Sequence, residues 1–413
     1  MQYGLIGEKL GHSFSKEIHQ KLKSNPYDLI ELSQCDIEAF FKAKDFYAIN
    51  VTIPYKTAVI PYLSFIDKTA KKVGAVNTIV NEDGALCGYN TDFYGLCALV
   101  EHANISLKDK KVAILGTGGT SKTAQEVAKH LGACKVLTVS RTTGKGVITY
   151  ADLRKHTDLE VIINTTPVGM YPNTEEAPVE LSVFPNLSGV IDAIYNPLRT
   201  KLILDAQKRG VPAEGGLYML VAQAVRASEL FLDTTYDPST AERIYRELLN
   251  QTENIVLSGM PASGKSTVGK RLAKELNREF FDLDEEIVRA SGRSIPEIFA
   301  TDGEAYFRDL ETRILREVLS NKKNIVLATG GGVILKDENV DLLRRNGKIY
   351  FIDRPLAALL PTKDRPLASS REAICQRYEE RYDRYCATAD CRIDGDGSIE
   401  DVAERIRKEF LSL

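Results

Sequence analysis

The chain has 413 residues, which exceeds one ordinary domain and predicts about two or three. Hydrophobic residues make up 43% and charged residues 27%, a globular composition that excludes a disordered tail, a collagen-like repeat and a coiled-coil rod. The 54 Lys and Arg residues nearly balance the 57 Asp and Glu residues, and the formal net charge of −3 excludes a whole-chain attraction to nucleic acid or an anionic membrane.

Neither a membrane span nor a secretion signal is evident in the sequence. No window of about eighteen apolar residues occurs, and Glu8 and Lys9 interrupt the N-terminus before an apolar core forms. Seven cysteines without a CxxC pair indicate reduced thiols rather than a disulfide framework or zinc site. We therefore expect a cytoplasmic protein without nucleic-acid or membrane partners. All five histidines precede residue 160, so chemistry in the C-terminal part cannot use a histidine base.

Short polar clusters recur in the first hundred residues, and we place them at strand ends: GHSFS (11–15), NVTIPYK (50–56), GAVNT (74–78) and GYNTD (88–92). Asn, Thr, Ser and Gly populate turns on conformational grounds alone. Any one cluster is therefore also compatible with turn chemistry, and only the ordered set is informative.

Residues 110–140 predict a β-α-β unit. The apolar run 112–115 is typical of a buried parallel strand, residues 121–131 have apolar positions at helical spacing, and 135–140 predict a second strand. The turn after the first strand contains Gly116, Gly118 and Gly119, which let a backbone approach a pyrophosphate at the N-terminus of a helix. A tight helix–strand corner would have a similar pattern.

The end of the second strand indicates which dinucleotide binds. A fold that selects NAD places an acidic residue there, whereas this chain has Ser140, Arg141 and Thr142, with Lys145 just beyond. A guanidinium and hydroxyls suit a 2′-phosphate, so the pattern predicts NADP(H); a solvated surface arginine is the alternative.

A second glycine-rich turn follows a helix ending at ERIYRELL (242–249) and a polar run that we interpret as a linker, residues 250–253. The sequence from Gly259 to Ser266 fits GxxxxGK[ST] fully, with an apolar strand before it and a helical pattern after it. In such a P-loop, backbone N–H groups surround the phosphates, Lys265 bridges them and Ser266 ligates magnesium. The motif predicts a nucleotide but not the phosphate acceptor.

Together with INTTPVGM (163–170), DAIYNP (192–197) and GGLYMLVAQA (215–224), the polar clusters resemble shikimate dehydrogenase through residues 1–246. The resemblance implies that Ser13 and Ser15 bind the substrate carboxylate, and that its hydroxyls and carboxylate are held by Thr52, Asn77, Asp92, Tyr195 and Gln223. It also implies that Lys56 and Asp92 form the catalytic pair. An ammonium stabilises the charge that hydride transfer leaves on a ketone oxygen and supplies a proton. A surface lysine in a turn is the alternative.

The same resemblance implies an NADP(H) site, with Thr165, Ala193 and Gly216 near the nicotinamide. The remaining residues of that site would be Gly116, Thr117, Gly118, Gly119, Thr120, Ser140, Arg141, Thr142 and Lys145. Serine at positions 13 and 15 favours shikimate over quinate.

The C-terminal part resembles shikimate kinase over residues 254–413, through FFDLDEEI (280–287), SIPEIF (294–299), GEAYFR (303–308), ATGGGVIL (328–335), DRPLA (364–368) and RYDRYCATAD (381–390). The resemblance implies that Asp282 acts on magnesium through water and that Asp284 contacts the acceptor hydroxyls and serves as base. The acceptor would be clamped by Arg308, Gly330, Gly331, Gly332 and Arg381. ATP would bind to Gly259, Ser263, Gly264, Lys265, Ser266, Thr267 and the lid residue Arg365. Arginine offers two-pronged binding to carboxylate and phosphate, although each arginine alone fits a helix-face salt bridge equally well.

These patterns predict an α/β protein with a substrate lobe (1–102, completed by 216–249), a Rossmann NADP-binding lobe (103–215) and a P-loop kinase domain (254–413). They imply a bifunctional enzyme that reduces 3-dehydroshikimate with NADPH and then phosphorylates shikimate to 3-phosphoshikimate with ATP and Mg²⁺. One alternative is a bifunctional enzyme acting on quinate or another cyclic polyol acid with NAD. Another is a metabolite-sensing regulator built from decayed enzyme domains.

Overall fold

The computed structural model describes residues 3–11, 14–22, 26–359 and 370–412, and the chain divides into two compact units, Met1–Tyr245 and Arg246–Leu413. The predicted site residues Ser13 and Arg365 lie outside the described residues. Among the helices of the described ranges, none combines the length and apolar character that crossing a membrane requires.

The first unit begins with a mixed sheet of strands β1 to β6: Tyr3–Gly7, Tyr27–Glu31, Ala48–Val51, Phe65–Ile66, Thr78–Glu82 and Ala85–Tyr89. Helices α1 (Ser15–Lys21), α2 (Ile37–Ala43) and α3 (Lys68–Val73) connect these strands. The strand order is β2-β1-β3-β5-β6-β4, and β5 runs antiparallel to both neighbours. The first residues of β5 therefore lie at the same edge as the last residues of β3 and β6. This topology corrects one expectation, because GAVNT precedes a strand rather than ending one.

The second sheet of this unit is entirely parallel and contains β7 to β12: Lys111–Leu115, Lys135–Ser140, Val147–Thr149, Val161–Asn164, Gly189–Asp192 and Ala213–Glu214. Its order, β12-β11-β10-β7-β8-β9, is that of a Rossmann fold, with helices α5 (Gly119–His130), α6 (Tyr150–Leu153) and α7 (Lys201–Lys208). Alternate residues of β7 enter different cores, Val112 and Ile114 on one face and Ala113 and Leu115 on the other. The strand order reverses between β7 and β10, where a nucleotide crevice is expected.

Helices α4 (Thr91–His102) and α8 (Leu217–Leu232) pack closely against each other within the first unit. A Cβ added at Gly95 of α4 would lie 2.7 Å from the carbonyl oxygen of Met219, so only glycine permits this approach. Helix α9 (Thr240–Thr252) then crosses the division between the units. The domain boundaries that we expect, including a linker at 250–253, stay predictions.

The second unit has a parallel sheet of five strands, β13 to β17: Asn254–Ser258, Glu279–Asp282, Ile325–Ala328, Gly347–Asp353 and Cys391–Asp394. Its helices α10 to α16 are Lys265–Leu276, Leu283–Ser291, Ile295–Thr301, Gly303–Asn321, Asp337–Arg345, Arg371–Thr388 and Ile399–Leu411. The order β14-β15-β13-β16-β17 places β13 at the switch point, and apolar cores cover both faces of the sheet. The predicted α/β class is confirmed for both units.

Candidate active sites

A cavity of about 390 Å³ lies in the first unit, where β3 ends and β5 begins. Apolar side chains of Leu5, Leu10 and Met219 form part of its wall. The residues predicted for the substrate and the nicotinamide line it together: Ser15, Thr52, Lys56, Asn77, Asp92, Thr120, Ala193, Tyr195, Gly216 and Gln223. The cavity thus combines an apolar wall with convergent polar groups, as small-molecule sites do.

Lys56 and Asp92 form an ion pair on the wall of this cavity. Lys56 Nζ donates to Asp92 Oδ2 at 2.6 Å, and the two side chains are only 19% and 12% exposed. Asp92 lies in the first turn of α4, where the helix dipole favours a carboxylate. Its other oxygen accepts a hydrogen bond from Asn77 Nδ2 at 3.0 Å. The carboxylate is therefore fixed on one side and orients the ammonium on the other.

Asn77 connects the Lys56–Asp92 pair to the sheet. Its Oδ1 accepts a 2.7 Å hydrogen bond from the backbone N–H of Thr91. Asn50, a residue that sequence reasoning overlooked, lines the same cavity, accepts a 2.7 Å hydrogen bond from the Tyr27 hydroxyl and donates to Thr78 Oγ1 at 3.1 Å. The part that Asn50 plays in the cavity could have been predicted from its position, because it is the first residue of NVTIPYK and lies at the end of β3.

The glycine turn after β7 lies at the predicted crevice. Gly116 has φ +112°, and a Cβ there would lie 2.8 Å from Thr165 Oγ1, which follows β10. A Cβ at Gly118 or Gly119 would meet no atom within 4 Å, so space is open before the N-terminus of α5. This geometry fits a pyrophosphate.

The end of β8 also fits the predicted 2′-phosphate. Arg141, Thr142 and Lys145 are exposed there, and residues 140–146 contain no acidic side chain. At the other end of the expected dinucleotide site, a Cβ on Gly216 would clash with the carbonyl oxygen of Ala193 at 2.2 Å. The two residues predicted near the nicotinamide thus have their backbones in direct contact.

The P-loop of the second unit holds Lys265 and Ser266 in specific hydrogen bonds. Lys265 is 5% exposed, and its Nζ donates to the carbonyl oxygens of Gly259 at 2.8 Å and Met260 at 2.9 Å. Ser266 Oγ donates to Asp282 Oδ2 at 2.5 Å. Two hard oxygens this close, beside an N-terminal helix end, fit a site for Mg²⁺ and phosphates.

The residues predicted to clamp the phosphate acceptor surround the loop Gly330–Gly332. A Cβ at Gly330 would lie 2.7 Å from Asp284 Oδ1, and one at Gly332 would lie 2.2 Å from Arg308 Nη1. Arg381 Nη1 donates to the carbonyl oxygen of Gly331 at 3.2 Å, and the same glycine approaches Pro261 of the P-loop. The structure therefore brings Asp284, both arginines and the glycines together.

Glu311 also belongs to this cluster, although sequence reasoning missed it. It is fully buried, and its Oε2 accepts a 2.9 Å hydrogen bond from Arg308 Nη1. Burial raises the pKa of Glu311 to about 7, although Arg308 opposes the shift. The signal was the three-residue spacing of Arg308 and Glu311 on α13, which places both on one helix face.

Comparison with known proteins identifies the family that each part of the chain resembles. Residues 5–79 match the family profile "Shikimate dehydrogenase substrate binding domain", and residues 261–411 match "Shikimate kinase". A shikimate dehydrogenase (NADP(+)) of Clostridium perfringens is 38% identical over 264 residues, covering 60% of this chain and 97% of the relative. The chain belongs to the shikimate dehydrogenase family.

Solved structures give the same result. Shikimate dehydrogenase 1 from Peptoclostridium difficile is 40% identical with a TM-score of 0.55, covering 60% of this chain and 97% of that one. A chorismate mutase/shikimate 5-dehydrogenase fusion protein from Clostridium acetobutylicum is 35% identical with a TM-score of 0.56, covering 60% and 96%. This chain is likewise a fusion, because a shikimate dehydrogenase is followed by a shikimate kinase domain. The predicted bifunctional enzyme class is confirmed.

Proposed function

We propose that the first unit reduces 3-dehydroshikimate to shikimate with NADPH, and that the second unit phosphorylates shikimate to 3-phosphoshikimate with ATP and Mg²⁺. The observation that carries the proposal is that each unit contains a complete constellation, Lys56–Asp92 in a cavity of about 390 Å³ and Lys265–Ser266–Asp282 beside Asp284. The product of the first reaction is the acceptor of the second, so one chain would catalyse two consecutive steps.

In the dehydrogenase, bound NADPH supplies the hydride. Lys56 would stabilise the negative charge that develops on the carbonyl oxygen and donate the proton that converts it to a hydroxyl. Asp92 would hold Lys56 at 2.6 Å and accept a hydrogen bond from a substrate hydroxyl, while Asn77 keeps Asp92 oriented. Ser13, Ser15, Thr52, Tyr195 and Gln223 would bind the remaining substrate groups, and Arg141 with Thr142 and Lys145 would select the 2′-phosphate.

In the kinase, bound ATP with Mg²⁺ supplies the phosphoryl group. Lys265 would contact the phosphates, and Ser266 and Asp282 would hold the cation. Arg308 and Arg381 would bind the acceptor carboxylate, and the loop Gly330–Gly332 would leave room for the ring between them. Asp284 would orient the attacking hydroxyl and take its proton, and Arg365 would neutralise charge on the transferred group.

We further propose that the enzyme acts in the cytoplasm on small molecules, with neither nucleic acid nor membrane as partner. The small net charge and seven free cysteines, all within the described residues, support this assignment. We also propose lobe boundaries at residues 102, 215 and 249, as the sequence predicts.

The test is an assay that supplies 3-dehydroshikimate, NADPH, ATP and Mg²⁺ and identifies the end product. Wild-type protein should form 3-phosphoshikimate. Lys56→Ala should lower the reduction rate by about 10²- to 10⁴-fold, because it removes the proton donor. The same variant should still phosphorylate added shikimate, whereas Lys265→Ala should retain reduction and lose phosphorylation.

Matched controls are Lys71→Ala and Lys270→Ala, which remove exposed lysines from α3 and α10 and should leave both rates unchanged. Loss of both activities in either single-site variant would contradict two independent sites. A preference for quinate and NADH over 3-dehydroshikimate and NADPH would establish the alternative substrate assignment.

A further inference from the structure

Arg354 follows β16 and lies against the P-loop. Strands β13 and β16 are paired in parallel with Ser258 opposite Phe351, so the segments that follow the two strands begin at the same edge of the sheet. A Cβ built at Gly264, which precedes Lys265, would have Arg354 Nη1 as its neighbour at 3.6 Å. The guanidinium group therefore reaches the N-terminus of α10, where the P-loop motif predicts that nucleotide phosphates bind.

The backbone of Arg354 packs closely against Gly395. A Cβ built at Gly395, just after β17, would lie 2.9 Å from Arg354 N and 3.0 Å from its Cα. Only a glycine at 395 permits this packing, and the base of the Arg354 side chain is consequently fixed beside the P-loop. The side chain needs no backbone movement to approach a ligand there.

Among the residues that the structure describes, no acidic side chain pairs with this arginine. Its Nε is buried without a hydrogen bond, and over the ranges that the structure describes no hydrogen bond or ion pair involves its guanidinium group. The adjacent carboxylate is already engaged, because Asp353 pairs with Arg392 at 2.5 Å and accepts a hydrogen bond from the Tyr382 hydroxyl at 3.1 Å. A partly buried cation without a counter-charge is unfavourable, and an anionic ligand would remove that cost.

We infer that Arg354 is a further nucleotide-binding residue of the kinase, contacting the phosphates that ADP and ATP share. This inference rests on the proposed kinase function. Lys265 donates as a point charge, whereas a guanidinium can bind two phosphate oxygens in one plane. Arg354 would make the same contact with ATP before phosphoryl transfer and with ADP after it. The contact therefore contributes to nucleotide binding and not to the chemical step.

The test compares Arg354→Ala and Arg354→Lys with wild-type full-length protein by calorimetric titration of ADP and of inorganic pyrophosphate, both with Mg²⁺. Loss of one charge-assisted contact should weaken ADP binding of Arg354→Ala about 10- to 100-fold, and pyrophosphate binding should weaken in parallel. Arg354→Lys should recover part of the loss. In steady state, KM for ATP should rise while kcat changes less than about threefold.

Arg289→Ala is the matched control, because this exposed arginine on α11 pairs only with Glu286 among the described contacts, and ADP binding should be unchanged. An unfolding temperature of the second unit, measured without ligand and equal to that of wild type, would show that each variant is folded. ADP affinity of Arg354→Ala within about twofold of wild type would overturn the inference, as would weakened ADP binding with unaltered pyrophosphate binding, which would indicate contact with the base. If wild-type protein neither binds ADP nor phosphorylates shikimate, the proposed kinase function itself fails.

Discussion

Asp192, at the end of β11, is a fully buried carboxylate next to Ala193, a residue that the sequence predicts near the nicotinamide. It accepts hydrogen bonds from Asn164 Nδ2 at 3.0 Å, the Ile194 N–H at 3.0 Å and Thr200 Oγ1 at 2.7 Å. Burial raises the pKa of Asp192 to about 6, although these hydrogen bonds oppose the shift. The charged form is therefore less favourable in the folded chain, and the stabilisation from proton uptake is lost as the pH rises through about 6.

We expect Asp192→Asn to match wild type near pH 3.5, below the unfolded pKa of about 3.9, and to be the more stable protein at pH 8, because an amide keeps the acceptor without the buried charge. Asp192→Ala should lose about 1–3 kcal/mol at both values, since it leaves buried donors unpaired. Urea unfolding of the first unit at both values measures the effect. Equal destabilisation by the two substitutions at pH 8 would mean that the charge itself is required.

At the scale of elements, His102 ties the end of α4 to three other segments. Its Nδ1 lies 2.7 Å from Glu214 Oε1 of β12, and its Nε2 lies 3.2 Å from Glu242 Oε2 of α9. The ring stacks on Tyr218 of α8 with centroids 3.9 Å apart and meets Tyr245 edge-on at 5.3 Å. The hydrogen bond to Glu214 raises the pKa of His102, burial opposes the change, and the charge of Glu242 adds to it.

Because the pKa of His102 is higher in the folded chain, its ion pairs stabilise the fold fully below the unfolded pKa of about 6.5 and are lost as the pH rises through the folded value. We expect the difference in unfolding free energy between wild type and His102→Gln to be largest near pH 6 and to shrink by pH 9. Guanidinium unfolding across this range measures it. A difference independent of pH would mean that the ring contacts with Tyr218 and Tyr245, and not the charge of His102, account for its contribution to stability.

Helices and strands that have a regular spacing of apolar residues, bounded by glycine, could be predicted from the sequence. Strand β8 has the predicted bounds 135–140, and α5 starts at Gly119, two residues before the predicted start, with Gly118 as its N-cap residue. Partners that depend on long-range register could not be predicted. The antiparallel direction of β5, the hydrogen bond between Tyr27 and Asn50, and the position of Arg354 beside Gly264 arise only when distant strands come together.

At the scale of the whole molecule, each unit contains its own sheets and apolar cores, and each should therefore respond to its own ligand. A ligand at 100 times its Kd stabilises the state that binds it by about 2.7 kcal/mol. We expect NADPH to raise the unfolding temperature of the first unit and ADP with Mg²⁺ that of the second. Scanning calorimetry suits this measurement, since the chain has no tryptophan. One transition that both ligands raise equally would mean that the units unfold as one.

Helix α9, with 13 residues, begins in one unit and ends in the other. Glu242, near its start, pairs with His102 of the first unit, and the carbonyl oxygen of Asn250, in its last turn, accepts a hydrogen bond from Arg278 Nη2 of the second. No single cut in the gene therefore yields two self-sufficient halves. To express the two enzymes separately, residues 240–252 must be included in both proteins, at the C-terminus of the dehydrogenase and at the N-terminus of the kinase.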